Sequence, residues 1–246
     1  MAELNEIYFD EDYNMIFDGR IPDPEVMLKP VQSNYVTSGL TQYIDGADYV
    51  EGSGEWLDRM GTHDITVYGD LKSSTWNGGI GVMDVYSTIT TGALNTSNDL
   101  RTGDWTIVAA ARNQTIGVGA SVLIGSGTES GGRMIIGYGG QADDCYFAGG
   151  WVYNASALRD MKWRIYIISQ TAAINDMKLS INNVDKTLLT VTRAGPQGVS
   201  FGNRKAGGFL DHCAGSEFGL WMTYNRVLTD EEKTQNFNYF RHRYGL

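Results

Sequence analysis

Carboxylate chemistry needs two acidic groups at a set separation, one acting as acid and the other as nucleophile or base. The acidic groups nearest to such a pattern in this sequence are Glu51, Glu55 and Asp58, and then Asp230, Glu231 and Glu232. The first group reads as a glycine-rich turn. The second reads as a helix start, where negative charge suits the helix dipole. Neither alternates along a strand in the way that would aim two carboxylates into one groove. Nucleophilic chemistry finds little more. Three histidines are present: His63, His212 and His242. His212 stands beside Cys213 in Asp211-His212-Cys213, where a structural role is the better reading than a Cys-His pair. His63-Asp64 offers one corner of a metal site, with no second His or Cys at ligand spacing. His242 falls in a last helical turn, where a cation is favourable. No G-x-S-x-G elbow occurs, and the glycine-rich stretches Gly125–Gly132 and Gly137–Gly140 lack the GK[ST] of a phosphate loop. These residues predict a protein that is not an enzyme and has no cofactor.

Binding leaves stronger signals. Trp151, Tyr153 and Asn154 follow closely on Asp143 and Asp144. Aromatic rings that stack on a sugar's apolar face, with Asp and Asn for its hydroxyls, make a glycan platform. Ordinary core packing of aromatics is the preferred reading of these residues. A second candidate lies near the N-terminus, where Ile16, Phe17, Ile21, Val26, Met27 and Leu28 sit among Pro22, Pro24 and Pro30. Proline disfavours helix and pushes its neighbours toward extended backbone. A free linker rarely carries so many apolar side chains, so this stretch is expected to lie on a protein surface. An edge strand of the main domain is the alternative.

The elements that must position these residues are mostly strands. With 31 glycines against 4 prolines, 42% hydrophobic and 20% charged residues, the 246-residue chain suits a many-stranded β protein with a sizeable core. Asp104–Arg112 is a mostly apolar run of strand length, as expected for a strand covered on both faces. Trp163–Ile168 is rich in aromatic and β-branched residues. Met177, Leu179 and Ile181 alternate with Lys178, Ser180 and Asn182, and Asn182-Asn183 reads as the turn that follows. Phe218, Leu220, Met222 and Tyr224 are expected to share one face of a strand. Thr229 and Glu232 form a capping-box pattern that opens one C-terminal helix of about three turns. Phe237 and Phe240 are spaced to share its buried face, and Gly245 stops it. The predicted organisation is an extended arm over residues 1–35 and one domain over 36–246.

Charge restricts the partners. Residues 1–60 hold 13 Asp and Glu against 3 Lys and Arg, while the rest of the chain is balanced at 16 of each. An acidic first quarter repels nucleic acid and anionic membrane, and suits either solubility or a basic protein surface. Cys145 and Cys213 read as two free thiols rather than a bridge, with the bridge left open. The N-terminus lacks the basic start and apolar run of a secretory signal, so synthesis in a cytoplasm is expected.

Several stretches, in order, resemble the concanavalin A-like, laminin-G-like jelly-roll family. Ser38–Asp45 followed by Gly54-Glu55-Trp56-Leu57-Asp58 is similar to the opening of such domains. Asp104–Ala109 resembles their central strand. Lys178–Asn183 resembles a family hairpin, with Asn183 where glycine is usual. Gly202-Asn203-Arg204 is similar to the turn after it. Glu217–Glu232 resembles the last strand and short terminal helix. The resemblance covers about residues 36–246 and implies an all-β fold: a two-sheet antiparallel jelly-roll sandwich with one short C-terminal helix. Members of this family include lectins, glycanases, adhesion modules and virion proteins. Many lectin-like members hold calcium; here Asp143-Asp144, or Asp99 with Asn98, would serve, although a solvated loop is the preferred reading. Together these features predict a non-enzymatic virion structural protein of a bacteriophage, a capsid decoration or head-surface protein. It would dock on a capsid or other virion subunit through its N-terminal arm and form a homo-oligomer. The alternatives are a carbohydrate-binding module of a tail fibre or cell surface and a glycan-active enzyme with a non-standard site.

Overall fold

A computed structural model describes residues 7–9, 15–17, 34–67, 72–76, 80–84, 94–95, 103–113, 124–126, 134–139, 143–147, 150–154, 162–172, 177–186, 199–201, 204–206, 209–211 and 216–246. The chain divides into two compact units, residues 1–35 and 36–246. In the first, β1 (Ile7–Phe9) pairs antiparallel with β2 (Met15–Phe17), with Ile7 opposite Phe17 and Tyr8 opposite Ile16.

The second unit runs β3 (Leu40–Asp45), β4 (Glu55–Trp56), β5 (Ile65–Val67), β6 (Lys72–Trp76), β7 (Ile80–Asp84), β8 (Leu94–Asn95), β9 (Trp105–Asn113), β10 (Ile124–Ser126) and β11 (Met134–Gly139). Then come β12 (Asp143–Phe147), β13 (Gly150–Asn154), β14 (Arg164–Gln170), β15 (Met177–Ile181), β16 (Val184–Lys186), β17 (Val199–Phe201), β18 (Arg204–Ala206), β19 (Phe209–Asp211) and β20 (Ser216–Tyr224). One α-helix, α1 (Asp230–Phe240), and a 3-10 turn over Arg241–Tyr244 close the chain.

The main sheet has eight strands in the order β16-β15-β14-β9-β20-β7-β6, with β3 also paired to β20. All of its pairings are antiparallel. Its centre is the apolar run the sequence marks: Trp105 to Ala111 of β9 and all of β14 are buried. Strands buried on both faces lose the polar alternation of an exposed sheet. In β15, Met177, Leu179 and Ile181 are buried and Lys178 is exposed, as the alternation predicts, but Ser180 is buried as well. Asn182 and Asn183 have φ of 50° and 60°, the two left-handed positions of a tight type I′ hairpin turn. Asn tolerates that region better than other side-chain-bearing residues, so Asn183 can stand where glycine is usual.

Strand β20 departs from simple alternation. Phe218 pairs with Ala111 and Leu220 with Ala110, so a bulge lies at Gly219. Two residues of β20 therefore oppose one step of β9, and Phe218 falls on the face opposite Leu220, Met222 and Tyr224. This corrects the expectation that all four share a face. The Tyr244 ring explains why residue 219 is glycine: a Cβ there would meet its Cε1 and hydroxyl at 2.5 Å.

Helix α1 begins as its capping box requires. The Thr229 hydroxyl accepts from Glu232 N–H at 3.3 Å, and the Glu232 carboxylate accepts from Thr229 N–H at 2.9 Å. The Arg226 fork donates to both oxygens of Glu232, at 2.6 and 2.7 Å. Its buried face is not the expected aromatic one. Lys233, Asn236 and Phe240 are buried, while Phe237 is only half-buried. Asn236 is buried because it works as a clamp. Its amide oxygen accepts from Val36 N–H at 2.8 Å, and its NH2 donates to the Tyr224 hydroxyl at 3.1 Å. That hydroxyl donates to the Val36 carbonyl at 2.9 Å. The first residue of the domain is thereby held by its last strand and its helix.

Candidate functional site

The best-defined polar constellation grows out of the end of β3. Asp45 is almost fully buried, at 1% exposure. A buried carboxylate is tolerable only when its oxygens are fully bonded. Arg243 donates to both oxygens, at 2.9 and 2.7 Å. The Tyr43 hydroxyl donates to Oδ2 at 3.0 Å, and Ala47 N–H to Oδ1 at 3.1 Å. Arg59 approaches Oδ2 at 3.2 Å, with its guanidinium 4.7 Å from the Tyr43 ring centre. Burial alone would raise the Asp45 carboxyl, but the Arg243 fork and the neighbouring donors outweigh it and hold the group below the usual carboxylate range. Burial and the Asp45 charge push the Tyr43 phenol far up.

The loop that follows is built on the same strand. Trp56 Nε1 donates to the Asp45 carbonyl at 2.7 Å, and its ring meets Tyr49 edge-on at 5.8 Å. Arg59 Nε donates to Asp48 Oδ2 at 2.6 Å and Nη2 to Oδ1 at 3.1 Å. Asp58 is the loop's inner peg. It accepts backbone N–H bonds from Tyr43 (2.7 Å), Met60 (2.9 Å), Thr62 (3.2 Å) and His63 (3.0 Å). Burial would raise its carboxyl; these four donors hold it below the usual range. The Trp56-x-Asp58 spacing therefore has a structural reason, because both side chains hang the loop on β3. Of the other acidic residues there, Glu51 and Glu55 are exposed, and Asp64 accepts from Asp58 N–H at 2.7 Å.

The glycan candidates fall on a hairpin of a separate three-stranded sheet, β11-β12-β13. Asp143 and Asp144 lie on β12, and Trp151, Tyr153 and Asn154 on β13. Pairing sets Asp144 opposite Asn154, Cys145 opposite Tyr153 and Tyr146 opposite Trp151, with a register shift between Cys145 and Tyr146. The backbone thus brings the two short segments side by side. Of the arm candidates, Ile16 and Phe17 lie on β2, whereas Ile21, Val26, Met27 and Leu28 fall outside the described residues. Asn98, Asp99, His212 and Cys213 fall outside them too. His63 is half-buried and His242 exposed. Among the described residues, no three His, Cys, Asp or Glu side chains gather to hold a metal. No described helix is long and apolar enough to cross a membrane.

The Asp45 cluster escapes sequence reading because its partners are far apart in the chain. Only the acid-rich turn, with Trp56 and Asp58 two apart, marks its position.

No family model matches this chain, and neither does any curated protein. Solved structures share its fold. A mutant of Trypanosoma rangeli sialidase displaying trans-sialidase activity is 14% identical with a TM-score of 0.58, over 85% of this chain and 34% of that one. The binding domain of botulinum neurotoxin DC in complex with SialylT is 12% identical with a TM-score of 0.57, over 81% and 51%. The binding domain of botulinum neurotoxin serotype C1 is 11% identical with a TM-score of 0.59, over 81% and 52%. The aligned part therefore spans about a third of the sialidase chain and half of the neurotoxin chains. The fold is a mostly antiparallel β fold of the concanavalin A-like, jelly-roll type with one C-terminal helix. Identities this low carry the fold and nothing finer.

Proposed function

We propose that this chain is a non-catalytic, glycan-binding module built as a two-sheet jelly-roll sandwich. The observation that carries the reading is the β12–β13 hairpin. Its pairing sets Asp144 opposite Asn154 and brings Trp151 and Tyr153 onto the strand beside it, the residue types that a sugar's ring face and hydroxyls require. The fold is compatible with such work, since one structure of this fold is a binding domain in complex with SialylT. A glycan array read with the full chain tests the proposal, followed by titration of the best sugar. Binding at millimolar affinity or better is expected, and Trp151→Ala or Tyr153→Ala should remove it without changing the melting temperature. Failure to bind any glycan would sink the reading.

A protein partner is the second reading. It is favoured by the division of the chain into residues 1–35 and a compact remainder. The first unit carries a hairpin and part of the chain's acidic excess. Docking of this unit on a capsid or other virion subunit, with the chain as a homo-oligomeric decoration protein, fits those features. Removal of residues 1–35 should abolish incorporation into particles while the domain still folds. Unimpaired incorporation of the shortened protein would overturn it.

A further inference from the structure

We infer that the loop Gly46–Asp64 is an interaction surface for a protein segment in which basic side chains flank apolar ones. Among the described residues the exposed large hydrophobics are Val50 (66%), Leu57 (57%), Met60 (44%), Val184 (56%) and Tyr239 (37%). Three of these five belong to this one loop. Single exposed apolar residues are ordinary on a protein surface, but a local group of them marks a contact site.

The three are grouped by the loop's own framework. Val50 follows Tyr49 and Leu57 follows Trp56, and the Tyr49 and Trp56 rings are in contact. The Asp48–Arg59 fork ties the same two stretches together one step outward, and Met60 comes next. Arg59 N–H also donates to the Tyr43 carbonyl at 2.8 Å, and the Asp58 peg fixes the turn below. Each arm of the loop therefore buries one aromatic and turns its neighbour outward. An anchored surface binds with less ordering cost than a loose one.

Charge selects the occupant. The loop holds Asp48, Glu51, Glu55, Asp58 and Asp64 against one basic residue, Arg59, which is engaged by Asp48 and Asp45. Glu51 and Glu55 are exposed between Val50 and Leu57. Exposed acids interspersed with exposed apolar side chains along the loop are complementary to lysines or arginines interspersed with apolar side chains. A second copy of this chain, at net charge −10, is the wrong sign, and so are nucleic acid and anionic membrane. The surface is separate from the β12–β13 hairpin, and the inference stands whether or not that hairpin binds glycans.

The probe is a fluorescent peptide of alternating lysine and leucine, titrated with the full chain and followed by anisotropy. Oligolysine and an alternating glutamate–leucine peptide serve as comparisons. The lysine–leucine peptide should bind most tightly. Its affinity should fall about tenfold, or 1.4 kcal/mol, in Leu57→Ser/Met60→Ser and in Glu51→Gln/Glu55→Gln. Val50→Ser, tested alone, should weaken it in the same direction. Equal binding by the serine variants would show a diffuse attraction to an acidic protein and overturn the inference. So would tighter binding of oligolysine, or concentration-dependent self-association that the serine variants abolish.

Discussion

Replacing Asp45 with asparagine keeps the shape of the side chain and removes its charge. The amide can offer one acceptor oxygen where the carboxylate offers two, and it places an NH2 against a guanidinium. Arg243 then loses one arm of its fork, and the Tyr43 hydroxyl and Ala47 N–H compete for the oxygen that remains. Breaking one side of a buried ion pair costs about 3–5 kcal/mol, because the remaining charge stays buried without its partner. The Arg243 side chain is 27% exposed, so water reaches part of it and the lower end, about 3 kcal/mol, is the better figure. For a domain of this size each kcal/mol moves the melting temperature by about 2–4 °C, so Asp45→Asn should melt roughly 6–12 °C lower. Thermal unfolding followed by near-ultraviolet circular dichroism measures this directly. Arg59→Gln supplies the internal control. Its side chain is 41% exposed, and pairs of that kind are worth at most about 1 kcal/mol. If Asp45→Asn melts within about 2 °C of the parent, or no lower than Arg59→Gln, the cluster does not hold the C-terminal turn to β3 as described.

Acid should unfold the domain through the same groups. Asp45 and Asp58 both have folded-state pKa values below normal. Their contribution is therefore complete above the unfolded value of about 3.9 and is lost as pH falls through the lower folded values. Urea midpoints should be flat from pH 7 to about 5 and fall below about 4; a maximum near pH 4 would contradict this. The Tyr244 hydroxyl is buried without a hydrogen-bond partner, and such a group costs about 1–3 kcal/mol. Tyr244→Phe should thus leave the urea midpoint unchanged or raise it, and a clear loss of stability would count against that placement. Gly219→Ala should destabilise by about 1–3 kcal/mol through its clash with the Tyr244 ring. Combining it with Tyr244→Leu should cost less than the sum of the two changes, and simple additivity in a double-mutant cycle would argue against the clash.

Local physics made much of the fold legible. The apolar run of β9, the alternation of β15, the Asn182-Asn183 turn and the Thr229–Glu232 box each depend on residues within a few positions of one another. The failures share the opposite cause. Phe237 and Phe240 look like one buried face on a helical wheel. What decides the face is Val36, 200 residues away, whose N–H and carbonyl need Asn236 and Tyr224. Likewise Phe218 leaves the alternation of β20 because a bulge falls at Gly219, where the Tyr244 ring, distant in sequence, leaves no room for a side chain. A sequence pattern reports what a segment prefers; it does not report which distant backbone group needs a partner.

The same contrast separates structural from functional acidity here. Glu51, Glu55 and Asp58 look alike as letters, and the acidic turn reads as one feature. Asp58 accepts four backbone N–H bonds and Asp45 is ringed by two guanidiniums, a phenol and an amide. A carboxylate so engaged, with its pKa lowered, is a poor general base and has no proton to give as an acid. These two groups hold the loop in place instead. The residues exposed on the loop include Val50, Glu51, Glu55, Leu57 and Met60. The buried acids tie the loop to β3, and the exposed residues account for its proposed use. That division of labour puts the proposed contacts on exposed side chains and leaves Asp45 and Asp58 to hold the loop.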